Sequence, residues 1–477
     1  MIARSRPFCD CQCRAFRTKF PLPLFTNLRV SLKNSVLDVL FLPGGSHVKM
    51  HSPHSRRGFV KALSVGVTGV AASCAALPLR LLAQEQAVAE TSLKIAKVEP
   101  FLLTGIRGYA PWLFARVETV EGIVGWGEGT NFPGVQPIAA AVNSLKGTVL
   151  GQSAWDIEKL WNRMYRYLYY NGMGGVVMAA ISAIDIALYD IVGKKLGVPV
   201  YKLLGGQVHE KLRIYANGWT EGISRDPEAL ARRTRELVAK GYTGCKFDPF
   251  SETPFSREVT QPQLRDAMAQ VKAVREAGGP DYDIAIDVHG RWNTKSTIEI
   301  IRALEPYRLL FYEEAVPPEN IDAMVEVQRA VTVPLATGER IFGRHGFREL
   351  LEKQAVRIVQ PDVARTGGIT ELKKISAMAD TYYIPVAPHN PNGPICTLAT
   401  LHAGVSIPNF LILEFFEPDE AIFREIGAGS LRNENGFVRP PTGPGLGVSI
   451  TDDFLRKYKF DERRTEEMEQ RTFNTAK

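Results

Sequence analysis

From about residue 211 onward the chain repeats one unit: a short apolar run, a polar or charged residue at its end, then a helix-like stretch. Eight such runs can be read: LRIYANG, GCKFDPF, DIAIDVHG, LLFYEEA, VPLATGER, VRIVQPD, IPVAPHN and FLILEFF. Segments such as PEALARRTRELVAKG and TELKKISAMADTY lie between them. Strands alternating with helices imply a parallel sheet, and eight units imply a closed (β/α)8 barrel.

The polar residues keep time with the repeat. Asp287, Glu313 and Glu339 stand 26 residues apart, twice, and Asp362, His389 and Glu414 follow at intervals of 23, 27 and 25. A unit of that length returns the chain to the same end of the barrel, so these residues should meet at the C-terminal face, where barrel active sites are built. The fourth run poses the problem most sharply. Leu309–Tyr312 reads as a strand buried on both faces, yet it ends in Glu313 and Glu314. An unpaired buried charge costs several kcal/mol or neutralises, so either the strand end opens onto water or something positive sits there. Three carboxylates on neighbouring strands repel one another unless a hard cation holds them. With only oxygen ligands in Asp287, Glu313 and Glu339, Mg2+ is expected, with Mn2+ as the variant, rather than zinc. A glycosidase pair at Glu313 and Glu314 is excluded, because adjacent strand residues point to opposite faces and cannot flank one bond.

Residues 93–210 read differently. The strands KIAKVEPFLLT and WLFARVETVEGIVGWGEG precede helices, giving an α+β cap. Its loops over Gly105–Trp112 and Asn131–Val135 are expected to close over the barrel mouth, with Tyr109 and Trp112 as candidates there or as packing residues. The domain reading is 90–210 cap, 211–425 barrel, and 426–477 a segment returning to the cap.

Composition decides the remaining classes. The net charge is +7. Residues 1–89 carry 12 Lys and Arg against 3 Asp and Glu, leaving 46 against 48 for the rest. The basic character therefore sits in a leader, and nucleic-acid binding has little support. Four of six cysteines also lie there, leaving Cys245 and Cys396, too few for a disulfide framework. SRRGFVK at Ser55–Lys61, the weakly apolar stretch Ala62–Leu79 and then AVAE resemble a twin-arginine export signal spanning 50–89. The stretch is rich in glycine and alanine rather than leucine, so no stable membrane anchor is expected. Cleavage after Ala89, export by the twin-arginine machinery and a periplasmic location follow as expectations. Residues 1–49 resemble nothing folded, and Met50 is a candidate start.

KFD, DVHGR, YEEAVPPEN, ATGER, QPDVARTGGITE and APHNPNGP, in that order, are similar to the enolase superfamily in its mandelate racemase and muconate lactonizing enzyme branch. AAISAIDIALYDIVGKKLGVPVYKLLGG resembles that family's capping-domain helix, and PTGPGLGVSI its returning segment. The resemblance runs from about Lys94 to Ile450. It implies that Asp287, Glu313 and Glu339 bind one Mg2+ per subunit, that His389 and Asp362 form a base dyad, and that Glu314 and Arg340 sit behind the ligands. His289 matches the position where sugar-acid dehydratases of the galactonate and gluconate kind have histidine and the racemase has asparagine. In an extended chain it would face the same side as Asp287 and could protonate a departing hydroxyl. Lys246 matches the first lysine of the racemase's Lys-x-Lys strand and would contact the substrate carboxylate. The second position is Asp248, which makes a lysine-based racemase unlike this chain and leaves Asp248 to bind a substrate hydroxyl. Glu414 resembles the eighth strand's glutamate, a hydroxyl binder or a rim salt bridge. His209, His345 and His402 fit no such position and read as structural.

The function expected is Mg2+-dependent dehydration of a sugar acid to a 2-keto-3-deoxy acid through an enediolate. An epimerase or cycloisomerase on a related acid is the alternative, and a non-catalytic sugar-acid binder is a third reading. A homo-oligomer is expected from family habit.

Overall fold

The computed structural model describes residues 27–32, 35–40, 93–107, 110–131, 134–172, 174–251, 256–416, 420–428 and 431–463. The export signal expected over 50–89 and Tyr109 lie outside them. The chain divides between Val88 and Ala89.

In the first unit, strands β1 (Asn27–Leu32) and β2 (Ser35–Leu40) pair antiparallel, with Leu32 opposite Ser35. The leader was expected to form nothing here. Two short Val/Leu-containing runs separated by two residues, Lys33 and Asn34, satisfy the length rule for a two-residue hairpin.

The second unit begins with the cap. Strands β3 (Ile95–Arg107), β4 (Ala110–Thr119) and β5 (Val124–Glu128) form an antiparallel meander. Helices α1 (Val135–Val149), α2 (Ile157–Tyr167) and α3 (Gly175–Leu196) follow. By length and composition α3 could cross a membrane, but 83% of its apolar window is buried inside the protein. It is the core helix of the cap, apolar on every side because it is covered on every side. It ends at Gly197, whose φ of 68° suits a glycine C-cap. The glycines of VGWGEG let it lie directly on β5. A Cβ at Gly125, Gly127 or Gly129 would meet the carbonyl oxygen of Ala187, Ala183 or Ala179 at 2.3 Å or less.

The barrel strands are β6 (Leu212–Asn217), β7 (Gly244–Phe247), β8 (Asp283–Asp287), β9 (Phe311–Glu313), β10 (Leu335–Thr337), β11 (Ile358–Val359) and β12 (Leu413–Phe416). They pair in parallel in the order β12-β6-β7-β8-β9-β10-β11. The ring closes between β11 and β12 through a single residue, Val386, which bridges Val359 on one side and Phe410 on the other. IPVAPHN was expected to be a full seventh strand. Pro385 and Pro388 flank Val386 and carry no N–H, so the ladder cannot extend past it. Helices α4 (Pro227–Ala239), α5 (Gln261–Gly278), α6 (Thr294–Leu304), α7 (Ile321–Ala330), α8 (Gly343–Glu352), α9 (Gly368–Asp380) and α10 (Pro394–Gly404) surround the strands.

Tyr215, Ala285, Phe311, Ala336, Ile358, Ala387 and Ile412, one from each of seven strand segments, form one cluster inside the ring. Because strand side chains alternate, the residue two further along each segment also faces inward. Those residues are Asn217, Asp287, Glu313, Gly338, Gln360, His389 and Glu414. On β7 the same step from Gly244 reaches Lys246. The barrel's apolar filling is thus capped by a layer of charge.

After the barrel, β13 (Phe437–Val438) pairs antiparallel with the start of β6. The chain then runs back to the cap. Gly445 and Leu446 bond to Val198, Val200 and Asp190, and beyond helix α11 (Asp452–Lys457) Tyr458 accepts from the Thr104 amide.

Candidate active site

Asp287, Glu313 and Glu339 each offer an oxygen within 4.8 Å of the others, and all three are buried. Among the described residues no other group of His, Cys, Asp or Glu converges in this way. Asp287 and Glu313 arrive by strand alternation. Glu339 does not, since the next inward position is Gly338. With φ at 156° and the Gln360 backbone 2.6 Å from where a Cβ would stand, Gly338 takes a path closed to other residues and turns Glu339 inward.

Lys246 lies beneath this cluster. Its Nζ is 2.9 and 3.0 Å from the two Glu313 oxygens, 3.0 Å from Glu414 Oε1 and 3.3 Å from Asp287 Oδ2. The ammonium's three donors all go to carboxylates and the side chain is 3% exposed. In this arrangement it offsets part of the negative charge at the floor of the site. Glu414 is equally enclosed. It takes Asn217 Nδ2 and Lys246 on Oε1 and the Asn390 amide on Oε2, so it ties three strand ends together.

His389 stands at one side. Its Nδ1 donates to Asp362 Oδ2 at 2.7 Å, leaving Nε2 facing the cluster, 3.0 Å from Glu339 Oε2. Asp362 also accepts from Asn392 Nδ2 and the Ala364 amide, both at 2.7 Å, and lies 3.3 Å from Arg365 Nε. His289 stands at the other side, Nε2 3.5 Å from Asp287 Oδ2 and Nδ1 3.5 Å from Asp248 Oδ2. The chain here is not extended as expected. The strand stops at Asp287 and His289 adopts φ 53°, its amide bonded to Asp287 Oδ1, so a turn rather than alternation brings the imidazole back. Asp248 is held by Arg291 at 3.1 Å and accepts from the Phe250 amide. Glu314, at φ 49°, points away from Glu313 and takes Arg340 through two 2.7 Å bonds.

The electrostatics show a deficit of positive charge. Seven carboxylates (Asp248, Asp287, Glu313, Glu314, Glu339, Asp362 and Glu414) face Lys246, Arg291, Arg340, Arg365 and two imidazoles. Burial and the charge of Asp287 push Glu313 up to about 8. Burial and Glu339 push Glu314 up to about 7, against the pull of Arg340. Burial works against charge on Glu339 as well, but His389 and Arg365 hold it well below the carboxylate range. Asp287 draws His289 up to about 10. Burial would lower His389, yet Glu339 and Glu414 outweigh it and raise it to about 10. Glu339 Oε2, although close to His389, is buried without an aligned hydrogen bond. An all-oxygen set, short of cations and with an unclaimed lone pair, fits a hard divalent ion.

The eleven residues that the sequence places at the site, Glu314 and Arg340 among them, meet here. Gln360, which donates to Glu313 Oε2 at 2.7 Å, Asn217, Asn390, Asn392 and Arg365 were missed. For Asn217 and Gln360 a signal existed, the position two past the inner apolar residue. Trp112 is buried, stacked on Phe114 at 5.9 Å, a packing residue rather than a lid tip. His402 stacks on Tyr201, and burial takes it down to about 4; His209 bonds the Ile407 carbonyl.

Comparison with known proteins gives the family. The family described as Mandelate racemase / muconate lactonizing enzyme, N-terminal domain, matches residues 90–205, and Enolase C-terminal domain-like matches 229–454. A D-galactonate dehydratase of Ralstonia pickettii is 39% identical over 359 residues, covering 73% of this chain and 91% of its own. A D-gluconate dehydratase of Thermoproteus tenax is 33% identical over 370 residues, covering 76% and 74%. A crystal structure of an enolase superfamily member from Salmonella Typhimurium superposes with a TM-score of 0.70 at 32% identity, over 76% of this chain and 98% of its own. The chain belongs to the enolase superfamily, in its mandelate racemase-like branch. Within that branch it is similar to sugar-acid dehydratases.

Proposed function

We propose that this protein is a sugar-acid dehydratase, a hydro-lyase that converts an aldonate of the galactonate or gluconate kind to a 2-keto-3-deoxy acid. The observation that carries the reading is the placement of two imidazoles at opposite ends of one carboxylate triad, His389 on Glu339 and His289 on Asp287. Dehydration needs two such groups, one to take a proton and one to give it.

Asp287, Glu313 and Glu339 would hold one Mg2+. When bound, the ion would supply positive charge beside the substrate carboxylate, where negative charge builds as the C2 proton leaves. In its neutral form His389 takes that proton on Nε2, while Asp362 keeps Nδ1 protonated and supports the imidazolium that results. The resulting enediolate expels the C3 hydroxyl as the C3–O bond breaks. His289 donates the proton that makes the leaving group water, and the enol tautomerises to the keto acid. Lys246 offsets part of the negative charge at the floor of the site, and Asp248 with Arg291 orients His289.

Incubation with Mg2+ and a panel of aldonic and aldaric acids, assayed for keto acid, tests the reading. Product that disappears with EDTA and in His389→Asn supports it. Deuterium exchange at C2 without any keto acid would replace it with the isomerase. Export by the twin-arginine route to the periplasm belongs to the same proposal, motivated by Arg56, Arg57 and the apolar stretch after them. Activity confined to the cytoplasm on fractionation would sink that part. Assembly into a homo-oligomer rests on family habit, and light scattering of the purified protein decides it.

A further inference from the structure

Outside this constellation the structure buries another carboxylate whose side chain reaches from the cap into the barrel. In VGWGEG the glycines lie on one face of β5, against the carbonyls of α3, so alternation turns Trp126 and Glu128 to the other face. Glu128 is fully buried. Its Oε1 accepts from the Gly393 amide at 2.6 Å and its Oε2 from the Cys396 amide at 2.8 Å, at the start of the eleven-residue helix α10. The contact is close enough to dictate the residue opposite. A Cβ at Gly393 would stand 2.7 and 2.9 Å from the Glu128 oxygens and 2.9 Å from the Trp112 ring.

The segment so held is the one that surrounds the dyad. Asn392, next to Gly393, donates to Asp362 Oδ2 at 2.7 Å, the oxygen that also takes His389 Nδ1. The Cys396 thiol lies 3.9 Å from Asp362 Oδ1 and 3.4 Å from Asn390 Oδ1, and the Asn390 amide in turn bonds Glu414. We propose that Glu128 is a positioning residue for the His389–Asp362 dyad, acting across the domain boundary by clamping the 390–396 turn whose side chains fix Asp362. The role rests on the reading of His389 as the base. It makes the cap part of the proton-transfer apparatus, because a barrel without a correctly seated β5 would lack the carboxylate that shapes this turn.

The test uses the full chain with Mg2+ in three forms: wild type, Glu128→Ala and Glu128→Gln. Glutamine keeps an acceptor for one amide but presents a donor to the other, so it should rescue part of what alanine loses. Expected for Glu128→Ala are faster amide exchange confined to 390–397, kcat lower by about tenfold or more, and KM within about twofold, with Glu128→Gln between. Unchanged kcat in a folded Glu128→Ala, whether or not exchange rises, overturns the proposal. Should alanine prevent folding, Gly393→Ala pushes the clamp apart from the other side and must give the same kcat loss. If wild type dehydrates no aldonate, the functional reading fails separately. The His389 imidazole resonance, assigned by its loss in His389→Asn, then decides. A resonance that shifts in Glu128→Gln supports the clamp, and one that does not move overturns it.

Discussion

The two sides of the acidic cluster are built to different standards. The His389 imidazole is 5% exposed, its Nδ1 committed to Asp362, and Asp362 is held by a side-chain amide, a backbone amide and an arginine. The His289 side chain is 57% exposed, and its two carboxylate neighbours are each 3.5 Å away. Under the proposed function the difference suits the work of each. A proton on carbon beside a carboxylate is very weakly acidic, so the base must be aimed and kept in one tautomer. A departing hydroxyl accepts a proton readily, and an acid at the open rim can serve it with looser support.

Removing the ion the triad would hold should have the largest effect, because it serves both sides. EDTA should lower turnover by about a thousandfold or more, and Mg2+ should restore it. Turnover that survives chelation breaks the assignment of Asp287, Glu313 and Glu339. His389→Asn comes next, with about a thousandfold loss of keto acid formation together with loss of C2 deuterium exchange. His289→Asn should cost about a hundredfold in keto acid while C2 exchange continues. Equal loss of both signals in His289→Asn would mean that the two sides are not separable.

The smallest effect lies further out on the buried side, where Asp185 of α3 accepts the Thr370 amide and hydroxyl. Burial pushes its carboxyl up to about 7. The folded protein therefore binds this proton more tightly than the unfolded chain. Its stabilising contribution is complete below the ordinary aspartate value and is lost as pH rises through about 7. Thermal melts between about pH 5 and 8 should show a decline with pH that is shallower in Asp185→Asn. The same slope in both proteins would show that Asp185 is ionised in the fold.

The sequence reading succeeded where period and spacing carry the information. Asp287, Glu313, His389 and Glu414 all sit two residues past an inner barrel residue, and a regular βα repeat is visible without any structure. It failed where a backbone departs from its period. His289 is brought back by a turn at positive φ, and Glu339 is delivered by Gly338. The seventh strand was overdrawn because two prolines leave it one pairing residue. For Lys246 and Glu414 a sequence shows that a charge is present but not which neighbours it meets in the fold.

By itself, then, the sequence determined the α/β barrel with its cap and which residues crowd its C-terminal rim, because alternation and unit length are local properties of the chain. Only the tertiary structure decided what each charge faces. Glu128 meets Gly393 across 265 residues and Asp185 meets Thr370 across 185. Over such separations local pattern carries no signal, and the partner of a buried charge is whatever the packing of cap on barrel brings within hydrogen-bond reach.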